Sequence, residues 1–128
     1  MNDFHFSNDP DFGNNSLPGI PKLYYRTELL YEHPKGFYCG PNLEWVPVSY
    51  DVDSANTLAV TPFAILGLKA GYRPKKGPSV YIEAMNLCNT TYVATTGVIP
   101  NANAPLANTA QFFPGDGAAI YAGLQYSF

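Results

Sequence analysis

Few residues in this 128-residue sequence stand where they could do chemistry together. His5 and Ser7 have the H-x-S spacing of a base and a nucleophile, but they lie at the extreme start and no acid is in place to orient the imidazole, so they read as surface residues. His33 adjoins Pro34 and reads as a solvated turn residue rather than a ligand. Asp51 and Asp53 could approach a cation, yet two carboxylates fall short of the roughly six to eight oxygens that calcium takes. Asn14-Asn15-Ser16 and Asn89-Thr90-Thr91 fit the glycosylation pattern, which carries little weight here. Cys39 and Cys88 allow at most one bridge, and both fall in strand-like runs where a cysteine serves as a small apolar residue. The expectation is a chain that is not an enzyme, with no catalytic group, no cofactor and no metal site.

The charged residues that remain belong to another pattern. Five runs alternate with period two, the signature of strands with unlike faces. "KLYYRTELLYEH" sets Leu23, Tyr25, Thr27, Leu29 and Tyr31 against Tyr24, Arg26, Glu28, Leu30 and Glu32. "GFYCGPNLEWV" sets Phe37, Cys39, Pro41, Leu43 and Trp45 against Tyr38, Gly40, Asn42 and Glu44. "FAILGLKAGY" and "SVYIEAMNL" place Lys69 and Glu83 opposite apolar rows, and the closing "DGAAIYAGLQYSF" carries Ile120, Ala122, Leu124, Tyr126 and Phe128 on one side. Chain ends are usually frayed and polar; this one has a greasy face that something apolar must cover.

Composition agrees. The chain is 46% hydrophobic and 15% aromatic but only 13% charged, about half the charge of an ordinary soluble domain. Ten Tyr, eight Phe, eleven Gly and twelve Pro favour strands and turns over helices. A net charge of −3 without a basic run excludes nucleic acid as a natural partner. No apolar run is long enough for a membrane helix, and the first residues lack the basic and apolar regions of a signal peptide, so if the protein is exported its signal is expected upstream of Met1.

The connections alternate in length. "EHPKG" and "RPKKGPS" are short and rich in Pro, Gly and Lys, as hairpin turns are. Residues 7–21, 47–62 and 89–115 form long polar stretches. Short turns at one end and long loops at the other is the arrangement of an outer-membrane barrel. Its strands need ~9–11 tilted residues, with aromatics at both ends. Slipping the first run by one residue would turn Arg26, Glu28 and Glu32 toward lipid, where Arg alone costs ~2–4 kcal/mol at the midplane. The phase therefore assigns Arg26, Glu28, Glu32, Glu44, Lys69 and Glu83 to the lumen, as a wall that guides a substrate, contacts a plug or simply lines a hydrated interior. Leu29, Leu43, Leu68, Ala84 and Leu124 face lipid, and Trp45, Tyr31 and Tyr72 anchor at the interface.

At this point the sequence resembles a known family. "GNNSLPGIP" (Gly13 to Pro21), "NLCNTTY" (Asn86 to Tyr92) and "DGAAIYAGLQYSF" (Asp116 to Phe128) stand in the order found at the C-terminal end of TonB-dependent outer-membrane receptors, where a G-N-x-L-P-x-x-P segment, an N-L-F-D-x-x-Y segment and a terminal aromatic strand follow one another. The sequence departs from that pattern at Cys88-Asn89, where the family has Phe-Asp. The resemblance implies an all-β fold: an antiparallel meander of about five transmembrane strands over residues 1–128, the C-terminal part of a barrel without its plug domain, and an open sheet if alone. It also implies localisation in the outer membrane of a Gram-negative bacterium and uptake of a scarce ligand such as a metal chelate. Its partners would be outer-membrane lipid and the barrel assembly machinery, the latter reading Ile120, Ala122, Leu124, Tyr126 and Phe128 as an assembly signal. The TonB system would act only through the missing N-terminal part. Two alternatives are a small outer-membrane barrel acyl hydrolase using His5 and Ser7, and a soluble all-β binding or adhesion module.

Overall fold

The structure, a computed structural model, describes residues 1–104 and 111–127. Phe128 and part of the third long loop lie outside the described residues. The described chain is all-β, with ten strands: β1 (Tyr25–Glu28), β2 (Tyr31–Glu32), β3 (Phe37–Val46), β4 (Tyr50–Asp51), β5 (Ala59–Val60), β6 (Phe63–Tyr72), β7 (Gly77–Met85), β8 (Val93–Thr96), β9 (Phe112–Pro114) and β10 (Ala119–Ser127).

Six of them form one sheet in the order β1-β3-β6-β7-β10, with β2 also paired to β3. Its assigned pairings are antiparallel, and neighbours in space follow chain order, a meander. β1 and β10 end the order, so the sheet is open among the described residues. The first apolar run makes two short strands rather than one. Leu29 stands opposite Pro41, and its amide donates to the Pro41 carbonyl at 3.0 Å. Proline has no N–H to return the bond, so the ladder lapses at Leu29 and Leu30.

The chain divides into two compact units. One comprises Tyr25–Trp45, Ala64–Thr90 and Asp116–Phe128, which is the sheet. The other comprises Met1–Tyr24, Val46–Phe63 and Thr91–Gly115, which gathers the long connecting segments into one body. This second unit holds the buried hydrophobic residues Val46, Tyr50, Val52 and Val60, with Leu58, Phe63 and Val93 packed against them. Two small antiparallel ladders, β4 with β5 and β8 with β9, brace it. Stretches that read as long polar loops therefore close around a core of their own.

Candidate functional site

Cross-strand partners and residues two apart share a face of a sheet, so the register sorts every side chain. Leu68, Ala84 and Ile120 form one row across β6, β7 and β10; Ala70, Ile82 and Ala122 form the next; Tyr72, Val80 and Leu124 the third. Phe37 of β3 joins this face through its ring, 4.7 Å from that of Tyr72. Trp45 and Tyr25 are cross-strand partners on it, with ring centroids 5.7 Å apart. The face carries no charged side chain, and it is open: Ile120 and Leu124 are each 75% exposed and Leu29 74%. Burying one such side chain stabilises by about 1.5–3 kcal/mol, and the sheet forgoes that gain many times over.

The opposite face is polar and aromatic. Arg26 pairs across the ladder with Glu44, and Lys69 with Glu83. Lys69 Nζ lies 3.4 Å from Glu28 Oε2, and Arg73 Nη2 lies 3.1 Å from Glu32 Oε1. The Arg73 guanidinium also stands over the Tyr38 ring, 5.5 Å from its centroid. Glycines make room for rings here: Tyr38 lies against Gly71, and Tyr81 covers its cross-strand partner Gly123, where any Cβ would collide with the ring. The six residues assigned to the lumen thus share one face, and the described members of the terminal apolar row share the other.

Two further nodes hold the segments that the sequence motifs mark. Asn86, 2% exposed, donates from Nδ2 to the carbonyls of Thr90 and Asp116 at 2.8 and 2.9 Å, and its Oδ1 accepts from the Thr90 amide at 2.8 Å. Asn89 Oδ1 accepts from the Ala118 amide at 3.0 Å. Both asparagines have positive φ, 49° and 48°, a region that Asn tolerates better than most residues. The NLCNTTY turn therefore ties the exit of β7 to the approach of β10, and Asn at the divergent position 89 performs a definite bond. In the other unit the GNNSLPGIP segment docks on residues 51–56: Ser16 and Asn56 exchange two hydrogen bonds, 2.8 and 3.0 Å, and the Gly19 amide donates to the Asp51 carbonyl at 2.7 Å.

Asp53 is the densest node. Fully buried, its Oδ1 accepts from the Thr57 and Leu58 amides at 2.8 and 3.0 Å, and its Oδ2 accepts from Thr57 Oγ1 and the Ala102 amide at 2.6 and 3.0 Å. Burial pushes its pKa up, but these four donors outweigh that and hold the carboxyl below its ordinary value. Burial also raises the Tyr50 phenol. Asp53 is thus spent as a loop staple rather than presented to a cation, and no cluster of three or more potential metal ligands occurs among the described residues.

The remaining candidates disperse. His5 Nδ1 lies 3.7 Å from Asp3 Oδ1 with both side chains more than half exposed, and Ser7 is exposed. His33 Nδ1 accepts from the Lys35 amide at 3.2 Å inside a hairpin turn. Asn15 donates to the Ser54 carbonyl at 2.9 Å, and Asn14 Oδ1 accepts from the Asn8 amide at 2.9 Å. Cys39 and Cys88 are exposed and free. Compared with models of known protein families, the chain matches none.

Proposed function

We propose that this chain is the C-terminal barrel segment of a TonB-dependent outer-membrane receptor, which takes up a scarce small ligand such as a metal chelate. One observation carries the reading: the sheet exposes a whole apolar face while the buried hydrophobic residues found among the described residues lie in the other unit. A solvent that is itself apolar accounts for such a face, and an exposed apolar area of this extent marks a membrane or partner surface. The strand lengths support it. β3 and β6 have ten residues each; at ~3.3 Å per residue and a tilt of ~40° they cover about 25 Å, the height of the apolar band of a membrane barrel.

In this reading the face bearing Arg26, Glu28, Glu32, Glu44, Lys69 and Glu83 lines the lumen, the Ile120, Ala122, Leu124 and Tyr126 row meets lipid, and that row together with the terminal Phe128 of the sequence serves as the assembly signal. The loop unit contributes to the ligand entrance. β1 and β10 end the strand order among the described residues, and an open sheet edge costs several kcal/mol per backbone group in hydrocarbon, so both edges pair with further strands in the working receptor. No catalytic role is assigned. Single cysteines labelled from a lipid-soluble probe test the assignment after export into an outer membrane. Labelling at positions 43 and 68 with protection at 44 and 69 is expected; the reverse pattern overturns it.

A further inference from the structure

The polar face carries aromatic rings that its charges do not use. Gly71 and Gly123 are the cross-strand partners of Tyr81 on either side, and the Tyr81 ring lies across Gly123, held down on the sheet with one side open; the residue is 45% exposed. Along β10, Tyr121 and Gln125 stand two residues to either side of Gly123 on the same face, opposite Glu83 and Ser79 of β7. Packing on a glycine accounts for Tyr81 but not for Tyr121, whose cross-strand partner is Glu83 and which is 50% exposed. The charges around this patch are matched. Lys69 lies 3.4 Å from Glu28 and directly across from Glu83, and Arg73 lies 3.1 Å from Glu32. Three carboxylates set against two cations leave no positive charge to draw an anion.

From this grouping of two open tyrosine rings with hydroxyl, amide and carboxylate neighbours and balanced charge we infer that β7 and β10 present a binding strip for a neutral saccharide, its C–H faces on Tyr81 and Tyr121 and its hydroxyls toward Ser79, Gln125 and Glu83. The face of an aromatic ring is the negative end of its quadrupole and attracts the weakly positive C–H groups of a sugar ring. Sugar hydroxyls donate to the Glu83 carboxylate and both donate to and accept from Gln125 and Ser79. An anionic chelate finds no complementary charge here. The inference rests on the receptor reading for its place on the lumen wall and narrows the ligand of that reading to a neutral, hydroxyl-rich one.

Amide NMR titration of the full chain, folded in a detergent without a sugar head group, decides it, with maltoheptaose and cellopentaose as α- and β-linked probes. Saturable shifts centred on Tyr81, Tyr121 and Gly123 are expected with at least one of them, and none in the loop unit. Tyr121→Ala should weaken binding roughly two- to tenfold, and Tyr81→Phe, which keeps the ring, should retain it. Leu124→Ala, on the other face of the same strand, should leave it unchanged. An absence of saturable shifts with both sugars overturns the strip and leaves standing the membrane reading, which labelling at positions 43 and 68 tests separately. An equal loss in Leu124→Ala also overturns it. Saturable binding of the iron complex of 2,3-dihydroxybenzoate at the same amides, with none of either sugar, overturns the ligand class.

Discussion

Replacing Asp53 by asparagine removes one charge and one acceptor from the loop unit while keeping the shape of the side chain. The retained amide oxygen still serves the Thr57 and Leu58 amides, which bond to Oδ1 at 2.8 and 3.0 Å. The new NH₂ takes the place of Oδ2, where Thr57 Oγ1 can turn its lone pairs toward it. The Ala102 amide, 3.0 Å away, cannot change from donor to acceptor and is left facing another donor. One charge-assisted bond is lost, so the expected cost is about 1.5–3 kcal/mol. Amide hydrogen exchange on the folded, detergent-solubilised chain reads this directly: exchange in the loop unit should accelerate ~10–100-fold, most at Ala102, with the amides of β6 and β7 unchanged. Asp53→Ala, which abandons all four donors, should cost more still. Acid supplies the sign. A carboxyl held low in the folded state contributes stability that is complete above its unfolded value and lost as pH falls through the folded value. The difference between wild type and Asp53→Asn should therefore shrink as pH falls below about 4. Unchanged exchange at Ala102, or a difference that grows in acid, would refute the staple.

Further substitutions probe the sheet and the turn that leaves it. Asn86→Ala gives up three hydrogen bonds and puts alanine at φ 49°, so it should lose about 2–4 kcal/mol in a urea titration of the solubilised chain; Asn86→Asp should lose at least as much, because it keeps the acceptor for Thr90 but turns a buried carboxylate oxygen toward the Thr90 and Asp116 carbonyls. Gly123→Val drives a side chain into the Tyr81 ring and should cost about 1–3 kcal/mol by thermal melting, with Tyr81→Ala restoring part of the loss. Lys69→Gln breaks a 3.4 Å pair whose side chains are 31% and 40% exposed, and should shift the same melt by less than about 1 kcal/mol.

Period-two alternation made the sheet legible. β3, β6, β7 and β10 fall within three residues of the runs that announce them, and the phase that keeps charge out of the apolar row is the register the ladders adopt. The break at Leu29 and Leu30 was visible too, had Pro41 been weighed as a missing donor rather than as one more apolar position. The loop unit was not legible. Its strands β4 and β5 have two residues each, too few to show a period, and its core side chains are scattered through segments rich in turn residues. Asp53 illustrates the limit: a carboxylate in a loop reads as a cation ligand until folding brings the Ala102 amide, 49 residues away, to its second oxygen. The role of Asn86 was marked only by its place in a motif, because hydropathy gives no weight to a buried amide that bridges two carbonyls.

The central claim is that the apolar sheet face meets hydrocarbon, and the single tryptophan of the chain provides its reporter. Trp45 lies on that face, 44% exposed and beside Tyr25. With the chain reconstituted into vesicles whose acyl chains carry bromine, Trp45 emission should be blue-shifted and strongly quenched by the lipid, and weakly quenched by aqueous acrylamide. Emission that stays red, ignores the brominated chains and responds to acrylamide would contradict the account, whatever the sheet does in water.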